Sequence, residues 1–339
     1  MSTDNDHSDT SEPDADLSLP PAAGPATLDE DAGTEEGREA ANPFAIPPRG
    51  WRDIASRVRH QFATDHVTLT SAGVAFFGFT ALVPLLAAGI AIYGLVADES
   101  DVIAVGDRID GAMPPQVADM ITQQLEAVVG ASPNTLGFAA VIGIAAALWT
   151  ASSAVAHLIE TVNIAYDEDD DDRSFWQKRG SALVFTAGLL ALFAVSGLVI
   201  VVGSGLGTGI IGSVLSMVAW IVAGGFFVIA LATLYRHGPD RASAKWRWVS
   251  PGAVLAVVTG VIMSVVFRYY VVNFGGYNET YGSLGAIIVL LLWLYLTAMA
   301  VIVGAEVNAE IEHQTLVDST TGEPQVMGHR NAEMADTIG

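Results

Sequence analysis

The chain has 339 residues, 51% of them hydrophobic and only 15% charged, with a mean hydropathy of +0.44 and a formal net charge of −22. Soluble chains carry about 25% charged residues, so an ordinary soluble enzyme domain is excluded. A nucleic-acid binder must neutralise phosphates with basic patches, and 15 Lys and Arg against 37 Asp and Glu do not supply them. The absence of Cys removes disulfides, thiolate nucleophiles, Cys-ligated zinc and iron–sulfur clusters.

In chain order, residues 1–45 come first. They are acidic and rich in Pro, Ser, Thr and Ala, too poor in bulky apolar groups to offset chain entropy, and read as a disordered acidic tail. No basic region leads into an apolar run there, so the stretch is not a signal peptide. Residues 46–66 read as an amphipathic juxtamembrane helix, with Trp51, Ile54, Val58 and Phe62 on one face. Such a helix lies in the membrane interface or packs on the protein's own surface. Residues 67–310 hold six apolar stretches, 71–96, 136–159, 181–203, 211–235, 251–273 and 283–307. Each reaches the roughly 20 residues that a bilayer core requires, and helix is the form that satisfies the backbone within lipid. The expected fold is therefore all-α, a polytopic bundle of six transmembrane helices with short interfacial helices, followed by a C-terminal tail at 311–339.

Positive charge assigns the sides. Arg49, Arg52, Arg57 and Arg59 flank the first span. Arg173, Lys178 and Arg179 lie between the second and third, and Arg236, Arg241, Lys245 and Arg247 between the fourth and fifth. The alternate loops hold one basic residue, Arg108. Both termini are expected in the cytoplasm, and the protein in the plasma membrane. In the long outer loop, Val117, Met120, Ile121, Leu125 and Val128 form an apolar helical face entered through Pro114 and Pro115. With only two Lys, the acidic surface suits high salt, and a salt-loving archaeal source is expected.

Three stretches carry a resemblance. One runs from Thr68 through Pro84. A second runs from Leu148-Trp149 to Asn163-Ile-Ala-Tyr166. The third begins Tyr277-Asn-Glu-Thr-Tyr281-Gly-Ser-Leu-Gly, reaches Trp293-Leu-Tyr295 and ends Gly304-Ala-Glu306-Val-Asn308-Ala. Together they resemble the YihY/BrkB family of six-helix inner-membrane proteins, over about residues 65–310. Members of that family have often carried the label "ribonuclease BN". The resemblance implies a fold and a location but no settled reaction. The acidic tail and the Asp run at 169–172 match nothing general in the family.

Several polar residues fall within or beside the spans. Arg268 sits late in the fifth, where it binds an anion, pairs with a carboxylate or snorkels outward. Glu306 and Asn308 close the sixth span and Glu160 and Asn163 the second, at one depth, where they suit cation binding, proton relay or interhelical hydrogen bonds. Pro84 removes a backbone bond from the first span and is expected to kink it. Tyr277 and Tyr281 precede the sixth span, as an aromatic belt or a cavity mouth. The glycines from Gly203 to Gly212 lack the Lys and Ser/Thr of a phosphate loop. His157 and Glu160 share a helix face but lack further metal ligands, and the acidic run at 167–172 lacks calcium-loop spacing.

No compact acid, base and nucleophile set appears, so neither catalysis nor a cofactor is expected. The expected partner is the lipid bilayer, with a small ion or solute as cargo and no nucleic acid. The sequence leaves the oligomeric state open. Transport of ions or small solutes is the first reading, and a non-transporting envelope scaffold is the alternative.

Overall fold

The structure is a computed structural model that describes residues 36–96, 133–168, 171–205, 209–274 and 284–339. The first 35 residues, the apolar face at 117–128, Asp169 and Asp170, and Tyr277 and Tyr281 lie outside the described residues.

The described chain is helical. After a short 3₁₀ turn at Pro43–Ala45 come α1 (Pro48–Thr64), α2 (Val67–Val96), α3 (Pro133–Ala165), α4 (Phe175–Gly205), α5 (Gly209–His237), α6 (Trp246–Phe274), α7 (Leu284–His313) and the single turn α8 (Glu333–Asp336). No strand occurs among the described residues, and one isolated bridge joins Ala244 to Thr320. Five helical segments are long and apolar enough to cross a membrane: Val141–Ala165, Phe175–Ile200, Gly209–His237, Trp246–Val271 and Leu284–His313. The expected sixth corresponds to α2. It runs 30 residues, but its described apolar stretch, Val67–Leu82, is shorter than a span.

The long helices pack in sequence order, α2 on α3, α3 on α4, α4 on α5, α5 on α6 and α6 on α7, and α7 returns to pack on α2. The result is a closed ring. The core sits at one end, here called the base, where α3, α5 and α7 finish and α2, α4 and α6 begin. Trp248, Tyr166, Tyr235, Val249, Ala253, Ala305, Ala309 and Ile311 are all buried in one cluster there. Towards the other end wide apolar faces stay exposed, as at Ile210, Ile211, Trp220 and Ile221 on α5 and Val261, Ile262, Val265 and Val266 on α6. Those are the surfaces that a bilayer covers.

The base is closed from outside. On α1, Ile54 is buried in the same cluster and Trp51 and Val58 pack against it, so the apolar face read from the sequence meets the bundle itself. Residues 36–46 join it through Ala40 and Ile46. Residues 311–339, expected as a tail, fold back over the base. Met334 enters the core, and Arg330 is buried, donating to the carbonyls of Leu316, Ala335 and Gln325.

Candidate functional site

The last turns of α7 are wrapped on every side, and Glu306, Asn308, Glu310 and Glu312 are all buried. A buried carboxylate demands a cation or several donors. Three of these four polar groups meet partners that answer them.

Asn308 clamps α7 to α6. Its amide accepts from the Gly252 N–H at 2.7 Å and donates to the Val249 carbonyl at 2.9 Å. The helices come close enough because Gly252 and Gly304 face each other, and a Cβ on Gly252 would overlap the Gly304 carbonyl oxygen. Glu312 forms a fully buried ion pair with Arg241, at 2.8 and 2.9 Å, and also accepts from the Ser319 hydroxyl at 2.6 Å. The Arg241 guanidinium lies 4.5 Å from the Tyr166 ring centre. Burial works against the Arg241 charge, but Glu312 and its neighbours outweigh it and raise the pKa above the ordinary arginine value. Burial and the Glu312 charge push the Tyr166 phenol far above its ordinary range, so it stays neutral. Glu310 is met by Arg57 of α1, which also donates to Gln314.

Glu306 is different. It is 1% exposed, and neither carboxylate oxygen receives a hydrogen bond. The charged groups that act on it most strongly, Asp65, Glu310 and Asp167, are all acidic. Two left-handed residues place the flanking pair. His66 (φ 49°) turns the chain between α1 and α2, and Asp167 (φ 54°) ends α3. At that end the Glu168 N–H reaches back to the Asn163 carbonyl and the Asp167 N–H to that of Ile164, a Schellman closure with Asp where Gly is usual.

A cleft of about 420 Å³ opens at the base between the end of α3 and the start of α4. Its polar lining is Glu160, Asn163, Glu168, Asp171, Arg173, Lys178 and Arg179. Asn163 joins three segments, accepting from the Asp240 N–H at 2.9 Å and donating to Asp171 at 3.1 Å. Arg173 pairs with Asp171 at 2.7 Å and donates to the Gly238 carbonyl. That hydrogen-bonded pair holds the Asp171 carboxyl well below the usual range. Arg179 is buried over the Trp149 ring and donates to the Trp149 carbonyl and the Ser153 hydroxyl. Lys178 remains half-exposed, 3.4 Å from Asp171. Glu160 is exposed at 72% and meets His157 at 3.3 Å, whose ring stacks on Phe77.

The residues singled out in the sequence therefore divide. Glu306 and Asn308 lie inside the base on α7, on opposite sides of the helix. Asn163 and Glu160 line the cleft on α3. Arg268 is exposed on α6 towards the far end, and Pro84 is half-buried within the continuous α2. Sequence reading missed Asp65 and the Arg241–Glu312 pair. The four-residue spacing of Glu306 and Glu310 on one helix was the available signal that the acidic stripe continues past the span. Among the described residues no group of three His, Cys, Asp or Glu is arranged to hold a metal ion.

The family described as "Virulence factor BrkB" matches residues 58–327. The ribonuclease-like protein YfkH of Bacillus subtilis is 32% identical over 249 residues, covering 70% of this chain and 88% of that protein. A UPF0761 membrane protein of Pseudoalteromonas translucida is 24% identical over 278 residues, covering 81% and 89%. Another, from Xanthomonas campestris, is 36% identical over 83 residues, 24% of this chain and 19% of that protein. No solved structure matches.

Proposed function

The chain belongs to the BrkB family of multi-pass membrane proteins, and we propose that it moves a small ion or polar solute across the plasma membrane, with α2 as a sixth span and both termini in the cytoplasm. The observation that carries this reading is the cleft at the base. It has the volume of a small-molecule site, and charges of both signs line it where α3 and α4 leave the apolar zone. The distribution of Arg and Lys supports the orientation. Arg268, Tyr277 and Tyr281 would then attend the opposite entrance, and Pro84 the bend of the first span. The acidic surface suits a cell of high internal salt.

The same lining argues against RNA as substrate. Arg173 and Lys178 are each held by Asp171, and a net charge of −22 repels phosphate. The word "ribonuclease-like" is said of the Bacillus subtilis relative, and we read this chain as non-enzymatic. A scaffold is the second reading. It is favoured by residues 36–46 and 311–339, which fold into a formed protein surface over the base.

The test is flux of sodium, protons and anions in proteoliposomes at high salt, with Glu160→Gln, Lys178→Ala and Arg268→Ala beside the native chain. Transport predicts flux above protein-free vesicles, reduced several-fold by the two cleft variants. Equal leakage from native protein and empty vesicles would remove ions as cargo and favour the scaffold.

A further inference from the structure

At the base of the bundle, the buried carboxylates have been matched with donors, except for Glu306. Arg57 answers Glu310, Arg241 and Ser319 answer Glu312, and Asp318 accepts from Thr320 and Gln325. Glu306, at 1% exposure, has no donor on either oxygen. The acidic groups that act on it most strongly come from three parts of the chain. Asp65 arrives from the α1–α2 corner, Glu310 from its own helix and Asp167 from the end of α3, with the neutral phenol of Tyr166 beside them. The nearby cations are engaged elsewhere, Arg57 with Glu310 and Gln314, Arg241 with Glu312, and His313 with Glu310. Asp65 is the foremost of the charged groups and stands within hydrogen-bonding reach of Glu306.

Two carboxylates in contact away from water cannot both stay ionised. A divalent cation would need about six or more oxygens, and among the described residues no group of three acidic or His side chains is arranged to hold a metal ion. A proton needs only two oxygens. Bound to one carboxyl, it converts an acceptor into an O–H donor and makes a short charge-assisted hydrogen bond to the other.

We propose that Glu306 and Asp65 share a single proton, forming a buried proton-binding site between α7 and the α1–α2 corner. The proton is a property of the fold and does not depend on the transport reading. Its path to water is the α1–α2 corner, where His66 is exposed. A movement of α1 away from α7 would open the pair, release the proton and leave two ionised carboxylates.

Infrared spectroscopy of the full chain in lipid nanodiscs tests this without any flux measurement. At pH 7 the native protein should show the C=O stretch of a protonated carboxyl, shifted by exchange into D₂O. Glu306→Gln should lose that band. Asp65→Asn should lose it too, because the amide can donate to an ionised Glu306. Glu160→Gln should keep it. Asp65→Asn keeps the question open to refutation if Glu306→Gln fails to fold. A native protein without the band at pH 7, or a band unchanged in both variants, would overturn the proposal. So would thermal protection by sodium over choline that Glu306→Gln abolishes in a protein lacking the band, since that identifies a bound cation instead.

Discussion

Gly252 and Gly304 bring the backbones of α6 and α7 into direct contact. A Cβ on Gly304 would lie 2.6 Å from the Gly252 carbonyl oxygen, 2.7 Å from the Tyr235 hydroxyl and 2.8 Å from the Ala256 Cβ. At each of the two positions the nearest atom in the way is the facing glycine's backbone carbonyl oxygen, which cannot swing aside. Gly304→Ala and Gly252→Ala should therefore each destabilise by about 1–3 kcal/mol, the usual cost of overpacking. Gly188 and Gly260 lie in helices with nothing within 4 Å of an added Cβ. Alanine there should be neutral or stabilise by about 0.5–1 kcal/mol through backbone entropy. Thermal unfolding in detergent, followed by tryptophan fluorescence, separates the two pairs. Equal melting shifts for all four would show that the α6–α7 contact does not limit stability.

The close approach also places Asn308. Its side chain spans the Gly252 N–H and the Val249 carbonyl, one donor and one acceptor on neighbouring turns of α6. Pro251, between them, has no N–H to contribute. Leucine at 308 fills similar volume but strands those backbone groups, at about 1–3 kcal/mol. Aspartate keeps the acceptor, loses the donor and buries a charge, so Asn308→Asp should cost more than Asn308→Leu at neutral pH. The reverse order of melting temperatures would mean that the amide's donor is dispensable.

How much of this was legible in the sequence follows from range. Helices are local, and an apolar run of 20 residues in lipid has few other solutions, so the span positions could be read directly. Five of them reappear in the described helices, although α3 and α7 continue to Ala165 and His313, past the apolar stretches. Those extra turns carry Asn163, Glu310 and Glu312, and a hydropathy window ends before it reaches them. Depth along the bundle was readable too, which is why Glu306, Asn308 and Asn163 all fall at the base. Facing was not. A helix that is apolar all round has no preferred side, so the sequence could not say that Glu160 is exposed while Glu306 is buried. Pairing over distance was hidden as well. Arg241 meets a residue 71 positions away and Arg57 one 253 away, and no spacing rule links them.

Arg241 and Glu312 form the most deeply buried ion pair described, with neither side chain exposed. Removing one partner leaves a charge in a place without water, which costs about 3–5 kcal/mol. Glu312→Gln and Arg241→Met should each fall in that range and loosen residues 311–339, because Ser319 is tied to the same carboxylate. The double variant Arg241→Met/Glu312→Leu leaves no lone charge and should recover much of the loss. Limited proteolysis of the C-terminal segment alongside unfolding measures both effects. If the double variant were as unstable as the sum of the two single ones, the pair would contribute through contacts other than its mutual charge.

Acidity should act on the base in two opposite windows. Burial raises Glu168 from 4.5 to about 6, despite the hydrogen bond it accepts from the Glu333 N–H. Its folded form holds a proton that the unfolded chain has already released, so its contribution is complete below pH 4.5 and is lost as pH rises through 6. Asp171 and Asp318 run the other way. Arg173 holds the first low, and the N–H and O–H donors of Gln325 and Thr320 outweigh burial to hold the second low. Their contributions are present above pH 3.8 and disappear as pH falls through their depressed folded values. Unfolding followed from pH 3 to 7 should therefore show a loss at the acid end and a shallow decline between 4.5 and 6. Glu168→Gln should make the decline shallower, leaving the share owed to the proton held by Glu306 and Asp65, and keep the acid limb in place, whereas Asp318→Asn should weaken the acid limb alone. A decline unchanged in Glu168→Gln would assign that titration to another carboxyl.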